Sequence, residues 1–335
     1  MSSRRRSSAP LALLLALVVG GLGSFGVIRA ADDRTSDVER IEGLELVLTP
    51  QDGPARNYLL IGSDTRENAD PNAPDFGGIG DTSAVQGRRS DTIMILRQEA
   101  NGDGASIVSL PRDLWVDIAG ERGESRINSA YNDGADVLAA TITQELGIPI
   151  NHVVDVDFSG FKDIVDAIGG TVVCFEYATR DFNTGLDQQP GCNRLDGVAA
   201  LQYARSRYYE EFRDGAWRTD PRSDLGRIER QQNFVQATAQ AASDKIQSDP
   251  FAASSLIDAG TAAVRMDPGL DPVAVAGTLR KAFAKGLNKY QLPVVGVTRN
   301  GNAVLVLGDG AEPILDYFRG VAPAPPVDTA VEPGS

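Results

Sequence analysis

The sequence is poor in histidine, cysteine and lysine. It contains one histidine, His152, and two cysteines among 335 residues. Ser-His-Asp triads, Cys-His pairs and histidine-rich metal sites all need histidine at the reacting centre. One histidine therefore excludes a histidine-rich metal site and disfavours nucleophilic catalysis of these types.

The scarcity of lysine makes the basic charge almost entirely arginine. Five of the 32 basic residues are lysine, and the formal net charge is -14. This acidic balance argues against nucleic acid as a main partner. The composition, 42% hydrophobic and 23% charged, is that of a globular protein with length for one large domain or two small ones.

The amino-terminal segment is the one long uncharged stretch. Residues 4–6 are arginines, residues 7–28 carry no charge, and residues 11–19 are strongly apolar. A signal peptide or a membrane span has this pattern, and the length favours a span of about 20 residues. Residues 28–30 form a poor cleavage site. The arginines should stay in the cytoplasm, so we predict a single-pass cell-membrane protein with residues 1–30 as anchor and the rest of the chain extracytoplasmic.

The two cysteines fall in the region predicted to be extracytoplasmic. An even number of cysteines in an oxidising compartment predicts a disulfide, here between Cys174 and Cys192. Two unlinked thiols are the alternative. A disulfide would close a loop around residues 180–191.

Arginines are concentrated in residues 195–234, which hold seven of them. A guanidinium group binds phosphate oxygens through two parallel hydrogen bonds, so such a cluster on an acidic chain indicates a polyanionic ligand. The alternative is pairing with nearby carboxylates, which we favour for Arg213, Arg218 and Arg222.

The spacing of the remaining arginines points to two helix positions. Arg227, Arg230 and Gln231 would share one helix face, and Asp224 would cap that helix. Arg205 ends an apolar helical pattern that starts at residue 196. Arg207 can converge with Arg205 on one ligand only if that helix ends between them.

Three apolar strands are predicted at residues 57–62, 91–96 and 105–110. Asp64 follows the first strand, Asp91 begins the second and Arg112 follows the third. In an antiparallel meander, these positions share one rim of the sheet. Two carboxylates and an arginine there suit Mg²⁺ and phosphate. In the alternative, both carboxylates satisfy backbone donors at a turn and a strand edge.

Helices and strands interleave along the chain, which predicts an α/β (α+β) fold with a central mixed, mostly antiparallel sheet flanked by helices. Residues 31–55 are predicted as a linker with a short strand at residues 44–48. Residues 56–321 are predicted as the catalytic domain, and residues 322–335 as a disordered tail. The predicted helices lie at residues 135–146, 159–168 (capped by Ser159), 227–246, 251–264, 272–285 and 313–318.

Nine short motifs between residues 56 and 240 occur in the order typical of one family, and together they are specific. The chain resembles the LytR-CpsA-Psr family. The motifs are Asn57-Tyr-Leu-Leu-Ile-Gly-Ser-Asp64, Arg89-Ser-Asp91-Thr92, Ser109-Leu-Pro-Arg112-Asp113, Arg126-Ile-Asn128-Ser-Ala130-Tyr131, Asp157-Phe158, Asp166-Ala-Ile-Gly-Gly170, Leu195-Asp196-Gly197, Tyr203-Ala204-Arg205-Ser206-Arg207 and Asp224-Leu-Gly-Arg227-Ile-Glu-Arg230-Gln231-Gln232.

The resemblance implies a membrane-anchored phosphotransferase of cell-wall assembly. Such enzymes move a glycopolymer from a polyprenyl-pyrophosphate carrier to peptidoglycan through a phosphodiester bond. The resemblance makes Asp64 and Asp91 metal ligands for Mg²⁺, with Mn²⁺ as the alternative metal, and catalytic residues together with Arg112. It implies that the pyrophosphate is bound by Arg112, Arg126, Arg205, Arg207, Arg227 and Gln231, with Arg126 and Asp224 in supporting positions.

Two other functions fit the same residues. Water in place of the sugar hydroxyl would make the protein a polyprenyl-pyrophosphate hydrolase. A non-enzymatic protein that binds the lipid carrier or regulates its use would need the arginines but not the two carboxylates, so the presence of both Asp64 and Asp91 argues against it. The partners implied are the polyprenyl-linked glycopolymer, peptidoglycan and the membrane, without nucleic acid.

Overall fold

The computed structural model describes residues 38–50, 53–63, 90–100, 104–120, 122–222, 224–249, 252–271 and 285–326. The predicted anchor at residues 1–30, the predicted helix at residues 272–285 except its last residue, and Asp64 lie outside these ranges. None of the helices within the described ranges has the length and apolar character needed to cross a membrane.

Strands and helices alternate through the described chain. The strands are β1 (Glu39–Arg40), β2 (Arg56–Ser63), β3 (Ser90–Gln98), β4 (Ala105–Leu110), β5 (Trp115–Ile118), β6 (Gly123–Arg126), β7 (His152–Val156), β8 (Thr171–Phe175), β9 (Thr179–Asp181), β10 (Leu186–Gln188), β11 (Gly191–Leu195), β12 (Glu210–Arg213), β13 (Ala216–Thr219), β14 (Val264–Met266), β15 (Leu287–Gln291), β16 (Val294–Arg299) and β17 (Asn302–Leu307). The helices are α1 (Ala135–Leu146), α2 (Phe158–Ile168), α3 (Gly197–Arg205), α4 (Asp224–Ser248), α5 (Ala252–Ala263) and α6 (Ala311–Arg319), with 3₁₀ helices at Leu44–Leu46 and Ile127–Asp133.

The central sheet has seven strands in the order β1-β14-β7-β2-β3-β4-β15. The meander predicted for β2, β3 and β4 is confirmed, because both neighbouring pairs are antiparallel. The sheet is mixed, as expected, but antiparallel pairs do not predominate. Three of its six pairings are parallel, β1–β14, β2–β7 and β4–β15. The sequence could not show this, because these partners are far apart along the chain.

The sheet is covered on both faces. Tyr58 and Leu60 of β2 pack into a core that contains residues of α2, α3, α4 and α5. Leu59 and Ile61 pack into a second core that contains residues of α1 and α6. Side chains alternate between the faces of a strand, so a strand buried on both sides has the continuous apolar sequence seen here. The predicted architecture of helices flanking a sheet is thus confirmed.

Single residues explain where helix α2 begins and where it ends. Helix α2 begins after Asp157, whose carboxylate accepts a hydrogen bond from the backbone N–H of Gly160 at 2.8 Å. The predicted cap, Ser159, is therefore wrong by two positions and lies inside the helix. The same helix ends at Gly169, which has the left-handed φ of 91° that favours glycine.

The segment predicted as a linker contributes to the domain. Residues 44–46 form a 3₁₀ helix, so the strand predicted at residues 44–48 is wrong, and Leu44 is fully buried. Strand β1 joins the edge of the central sheet. The start of the predicted disordered tail is also held in place, because the carbonyl of Pro325 accepts a hydrogen bond from Tyr290 at 3.0 Å.

A smaller sheet in the order β10-β9-β12-β13 lies within the arginine-rich half of the chain. Next to it in sequence, β8 and β11 form an antiparallel pair in which Cys174 and Cys192 are directly opposite. These two residues form a disulfide, as predicted. The sequence analysis missed the strands of this small sheet because they are short and rich in charged residues.

Candidate active site

The site lies where four strands of the central sheet end or begin. Ser63 at the end of β2 pairs with Ser90 at the start of β3, and Ile93 pairs with Leu110 at the end of β4. Val156, the last residue of β7, pairs with Gly62. The rim predicted from the meander is therefore confirmed, with the end of β7 added to it.

The backbone of β3 is irregular at Asp91. Gly62 pairs with Thr92 and Ser63 pairs with Ser90, so Asp91 has no partner residue on β2. An extra residue of this kind is a β-bulge, which bends the strand and is over-represented next to active sites. The candidate metal ligand Asp91 thus lies at the irregular position of the rim.

Helix α3 ends at Arg205, and Ser206 has extended backbone. This satisfies the condition for Arg205 and Arg207 to converge. The guanidinium of Arg205 lies 4.6 Å from the centre of the Phe158 ring, which is a cation–π contact. Phe158 follows the end of β7 at the rim, so this contact holds Arg205 near the ends of the strands.

The turn that carries Arg207 is fixed by a buried carboxylate. Oδ2 of Asp181, in β9, accepts hydrogen bonds from the Ser206 hydroxyl at 2.7 Å and from the backbone N–H groups of Arg207 and Tyr208 at 3.0 Å. Asp181 is 1% exposed. These three hydrogen bonds to one oxygen hold the backbone of the turn in one conformation.

Arg230 holds the same turn from helix α4. Its Nη2 donates to the Ser206 carbonyl at 2.7 Å, and its Nη1 lies 3.1 Å from Oδ2 of Asp220. Burial raises the pKa of Asp220, but hydrogen bonds from Arg222 outweigh this effect and leave that pKa below its usual value. Gly226 gives the carboxylate room, because a Cβ there would lie 2.2 Å from Oδ2 of Asp220.

Gln231 joins three elements of the site. Its Nε2 donates to the Ala204 carbonyl at 3.1 Å and to the Thr92 hydroxyl at 3.2 Å. Helix α4 is thereby tied to the end of α3 and to β3 beside Asp91. Arg227 lies one turn earlier on α4 and is 2% exposed. The structure therefore brings Arg205 and Gln231 together with the rim, and Arg227 lies on the same face of α4 as Gln231.

Arg112 and Arg126 lie on either side of Asp113. The Nε of Arg112 is 3.6 Å from Oδ2 of Asp113, and the Nε of Arg126 is 3.0 Å from Oδ1. Arg126 also donates to the Ala303 carbonyl at 3.0 Å. Among the described residues, the contacts of Arg126 connect β6 to β17. The binding of pyrophosphate by Arg126 stays a prediction.

Three other arginines pair with carboxylates, as expected from the sequence. Arg213 pairs with Glu211, Arg218 with Asp214, and Arg222 with Asp220 and Glu229. Their side chains are 46 to 59% exposed. They form a solvated set beside the site.

A buried ion pair lies one residue before the end of β7. Asp155 of β7 accepts hydrogen bonds from Arg265 at 2.5 Å, from the Tyr131 hydroxyl and from Ser63. Burial raises the pKa of the Asp155 carboxyl, and the Arg265 guanidinium opposes that rise. Burial also raises the pKa of Tyr131, so Tyr131 remains a hydrogen-bond donor. Ser63 is the residue before Asp64, which links this network to the end of β2.

Comparison with known proteins identifies the family. The profile of the LytR_cpsA_psr family matches residues 26–312. The chain belongs to the LytR-CpsA-Psr family. It is 29% identical over 308 residues to the probable cell wall biosynthesis protein LcpB of Corynebacterium glutamicum, covering 90% of this chain and 69% of LcpB.

Two other matches agree with this assignment. The polyisoprenyl-teichoic acid–peptidoglycan teichoic acid transferase TagU of Enterococcus faecalis is 32% identical over 232 residues, which cover 68% of this chain and 67% of TagU. The solved structure of a LytR-Csp2A-Psr enzyme from Actinomyces oris superposes with a TM-score of 0.62 at 25% identity, covering 84% of this chain and 95% of that one. The fold is thus that of LytR-CpsA-Psr enzymes.

Sequence analysis missed three carboxylates that organise this LytR-CpsA-Psr site. Asp181 binds the backbone of the turn that carries Arg207. Asp220 pairs with Arg230, which binds the Ser206 carbonyl of the same turn. Asp155 is the carboxylate of the buried ion pair. Asp155 had a signal in the sequence, since a charged residue among the apolar residues of β7 needs a partner. Asp181 and Asp220 lie in polar segments, where nothing distinguishes them from surface residues.

We predict that Asp181→Ala lowers kcat/KM for the family's transfer reaction by up to about 100-fold, because displacement of about 1 Å at a binding group has effects of this size. Steady-state kinetics with the full chain would measure it. Asp181→Asn keeps the volume and one acceptor oxygen, so it should recover part of the loss. An equal increase in KM for both variants, with kcat unchanged, would contradict a positioning role for Asp181.

Proposed function

We propose that the protein transfers a glycopolymer from a polyprenyl-pyrophosphate carrier to peptidoglycan through a phosphodiester bond. The observation that supports this proposal is that Arg205 and Gln231 contact residues at the rim of β7 and β3, with Arg207 on the turn that follows Arg205. Relatives with this sequence pattern are named for cell-wall biosynthesis and for transfer of teichoic acid to peptidoglycan, which supports the same reaction class.

The reaction requires a charged ligand and no nucleophilic side chain. A sugar hydroxyl of the acceptor attacks the phosphorus that bears the glycopolymer. The bond from that phosphorus to the bridging oxygen breaks, and polyprenyl phosphate leaves. Guanidinium groups at the rim stabilise the charge on the non-bridging and leaving oxygens. Asp64 or Asp91 accepts the proton of the hydroxyl.

A divalent cation fits the donors proposed for this site. Asp64 and Asp91 would supply the carboxylate oxygens that Mg²⁺ prefers, and Mn²⁺ accepts the same donors. Within the described residues, no group of three or more His, Cys, Asp or Glu side chains is placed to hold a metal. Two carboxylates and phosphate oxygens are the set expected for Mg²⁺. When bound, the cation would neutralise charge on the pyrophosphate.

The location of the protein forms part of the proposal. Residues 1–30 would anchor the chain in the cell membrane. The extracytoplasmic catalytic domain would comprise residues 56–321 together with β1 and the 3₁₀ helix at residues 44–46. The disulfide between Cys174 and Cys192 supports an oxidising compartment.

The test is reconstitution of the full chain in detergent with a short-chain polyprenyl-pyrophosphate glycan, peptidoglycan fragments and Mg²⁺. We expect mass spectrometry to detect a sugar–phosphate–glycan product, and we expect EDTA to abolish it and added Mg²⁺ or Mn²⁺ to restore it. Release of the glycan phosphate with no linked product would indicate a hydrolase instead. Binding of the lipid without turnover would indicate a carrier-binding protein.

A further inference from the structure

The outer face of the small sheet carries exposed aromatic rings. Phe182 is 78% exposed and Phe212 is 44% exposed, although large apolar side chains are usually buried. Trp217 lies directly opposite Phe212 in the β12–β13 pair, and the two rings are 5.4 Å apart. Exposed apolar groups gathered in one place indicate a binding surface.

Arg180 holds these rings in fixed positions. Its guanidinium lies 4.4 Å from the centre of the Phe182 ring and 3.8 Å from that of Trp217. Its Nε donates to Glu210 at 2.8 Å. Arg180, Glu210 and Trp217 therefore share one face of the sheet, and the rings are ordered before any ligand arrives, which lowers the entropy cost of binding.

This surface lies close along the chain to the turn that carries Arg207. Asp181, the next residue after Arg180, points to the opposite face of β9 and holds the backbone of Arg207. Glu210 is three residues after Arg207, so their Cα atoms lie within about 10 Å of each other. Between them, Tyr208 is 57% exposed. A ligand on the outer face at Glu210 would thus lie within about 10 Å of the Arg207 backbone.

The size and charge of the face select the ligand. Its four strands have three or four residues each, which gives an area of roughly 200 Å². A protein partner needs about 800 Å². Arg180 is directly opposite two carboxylates, Asp187 on β10 and Glu210 on β12. This balance disfavours a polyanion.

We propose that Phe182, Arg180, Trp217 and Phe212 form an aromatic platform that binds the uncharged sugar backbone of the peptidoglycan acceptor. The C–H faces of sugar rings pack on aromatic rings, and the hydroxyl groups bond to Arg180, Glu210 and Asp187. The proposal rests on the transfer function proposed above, and it adds where the acceptor lies: on the face that leads to Arg207.

Calorimetric titration of the full chain in detergent would test the platform. The probe is the tetrasaccharide of β-1,4-linked N-acetylglucosamine, which has the sugar backbone of peptidoglycan and carries no charge. We expect Phe182→Ala and Trp217→Ala each to weaken the Kd by about tenfold, as loss of an aromatic anchor does. Trp217→Tyr keeps an aromatic face and should stay within about threefold of wild type, since most of the ring contact remains. Arg213→Ala, on β12 but on its other face, should bind as wild type does.

Three results would overturn the proposal. They are no binding of the tetrasaccharide by the wild type, wild-type affinity in both alanine variants, and ring-dependent binding of a poly(glycerol phosphate) in place of the tetrasaccharide. Phe182 is so exposed that its variant should fold even where Trp217→Ala does not. Arg207→Ala separates the two proposals, because it should stop transfer and leave tetrasaccharide binding unchanged. Ring-dependent binding without any transfer would reject the proposed reaction and keep the platform.

Discussion

Replacing Arg207 with alanine is expected to reduce kcat/KM for glycopolymer transfer by about 100- to 1,000-fold, the usual cost of removing one preorganised donor to developing charge. Asp181 and Arg230 hold the turn around Arg207 by its backbone and by the Ser206 carbonyl. The alanine variant should therefore retain this turn and lose only the guanidinium. Steady-state transfer assays on the reconstituted full chain would measure the effect.

Arg213→Ala is the matched control. Arg213 lies six residues later, is 46% exposed and pairs with Glu211, so its loss should leave transfer unchanged. Arg207→Lys should fall between wild type and alanine, because lysine keeps the charge but lacks the planar fork that binds two phosphate oxygens. Equal kcat/KM values for Arg207→Ala and Arg213→Ala would show that Arg207 has no role in transfer.

The meander and the arginine positions could be predicted because they depend on local patterns. The apolar runs of β2, β3 and β4 are separated by polar residues, and antiparallel neighbours must reverse direction. These two facts are enough to predict a shared rim for Asp64, Asp91 and Arg112. In the same way, the end of the apolar pattern at Arg205 predicted the end of helix α3, and the even cysteine count predicted the disulfide.

Contacts between distant parts of the chain could not be predicted. Asp181 contacts Ser206 and Arg207 across about 25 residues, and the register of β9 against β12 decides which face it occupies. The bulge at Asp91 depends on the pairing of Gly62 and Ser63 with β3. A one-residue change in register moves a side chain to the other face, and no local pattern in these short strands fixes the register.

The aromatic platform could not be predicted from the sequence either. Phe182, Phe212 and Trp217 are separated by up to 35 positions in the sequence, and each is surrounded by charged residues that indicate a loop. Only the pairing of β9, β12 and β13 places them beside Arg180 on one face. Asp187 of β10 and Glu210 of β12, on either side of Arg180 in β9, then set the charge of that face.

The largest loss of stability is expected from Asp155→Ala. Asp155 is 1% exposed and is bonded to Arg265 and to the Tyr131 hydroxyl. Removing one partner from a buried ion pair leaves the other charge uncompensated, at a cost of about 3–5 kcal/mol in the free energy of unfolding. Urea unfolding of the full chain, followed by circular dichroism, would measure the change.

Two further variants separate the effect of charge from the effect of volume. Arg218→Ala removes an ion pair whose partners are 59% and 83% exposed, and it should leave the unfolding midpoint nearly unchanged. The triple variant Asp155→Val, Arg265→Met, Tyr131→Phe removes both charges and the Tyr131 hydroxyl together, and it should be more stable than Asp155→Ala because apolar groups of similar volume can replace a buried pair. If the triple variant were the less stable one, the ion pair itself, and not the unpaired charge, would stabilise β7 and β14 beside the rim. In that case Ser63, which is hydrogen-bonded to Asp155, would connect the rim to the ion pair that stabilises β7 and β14.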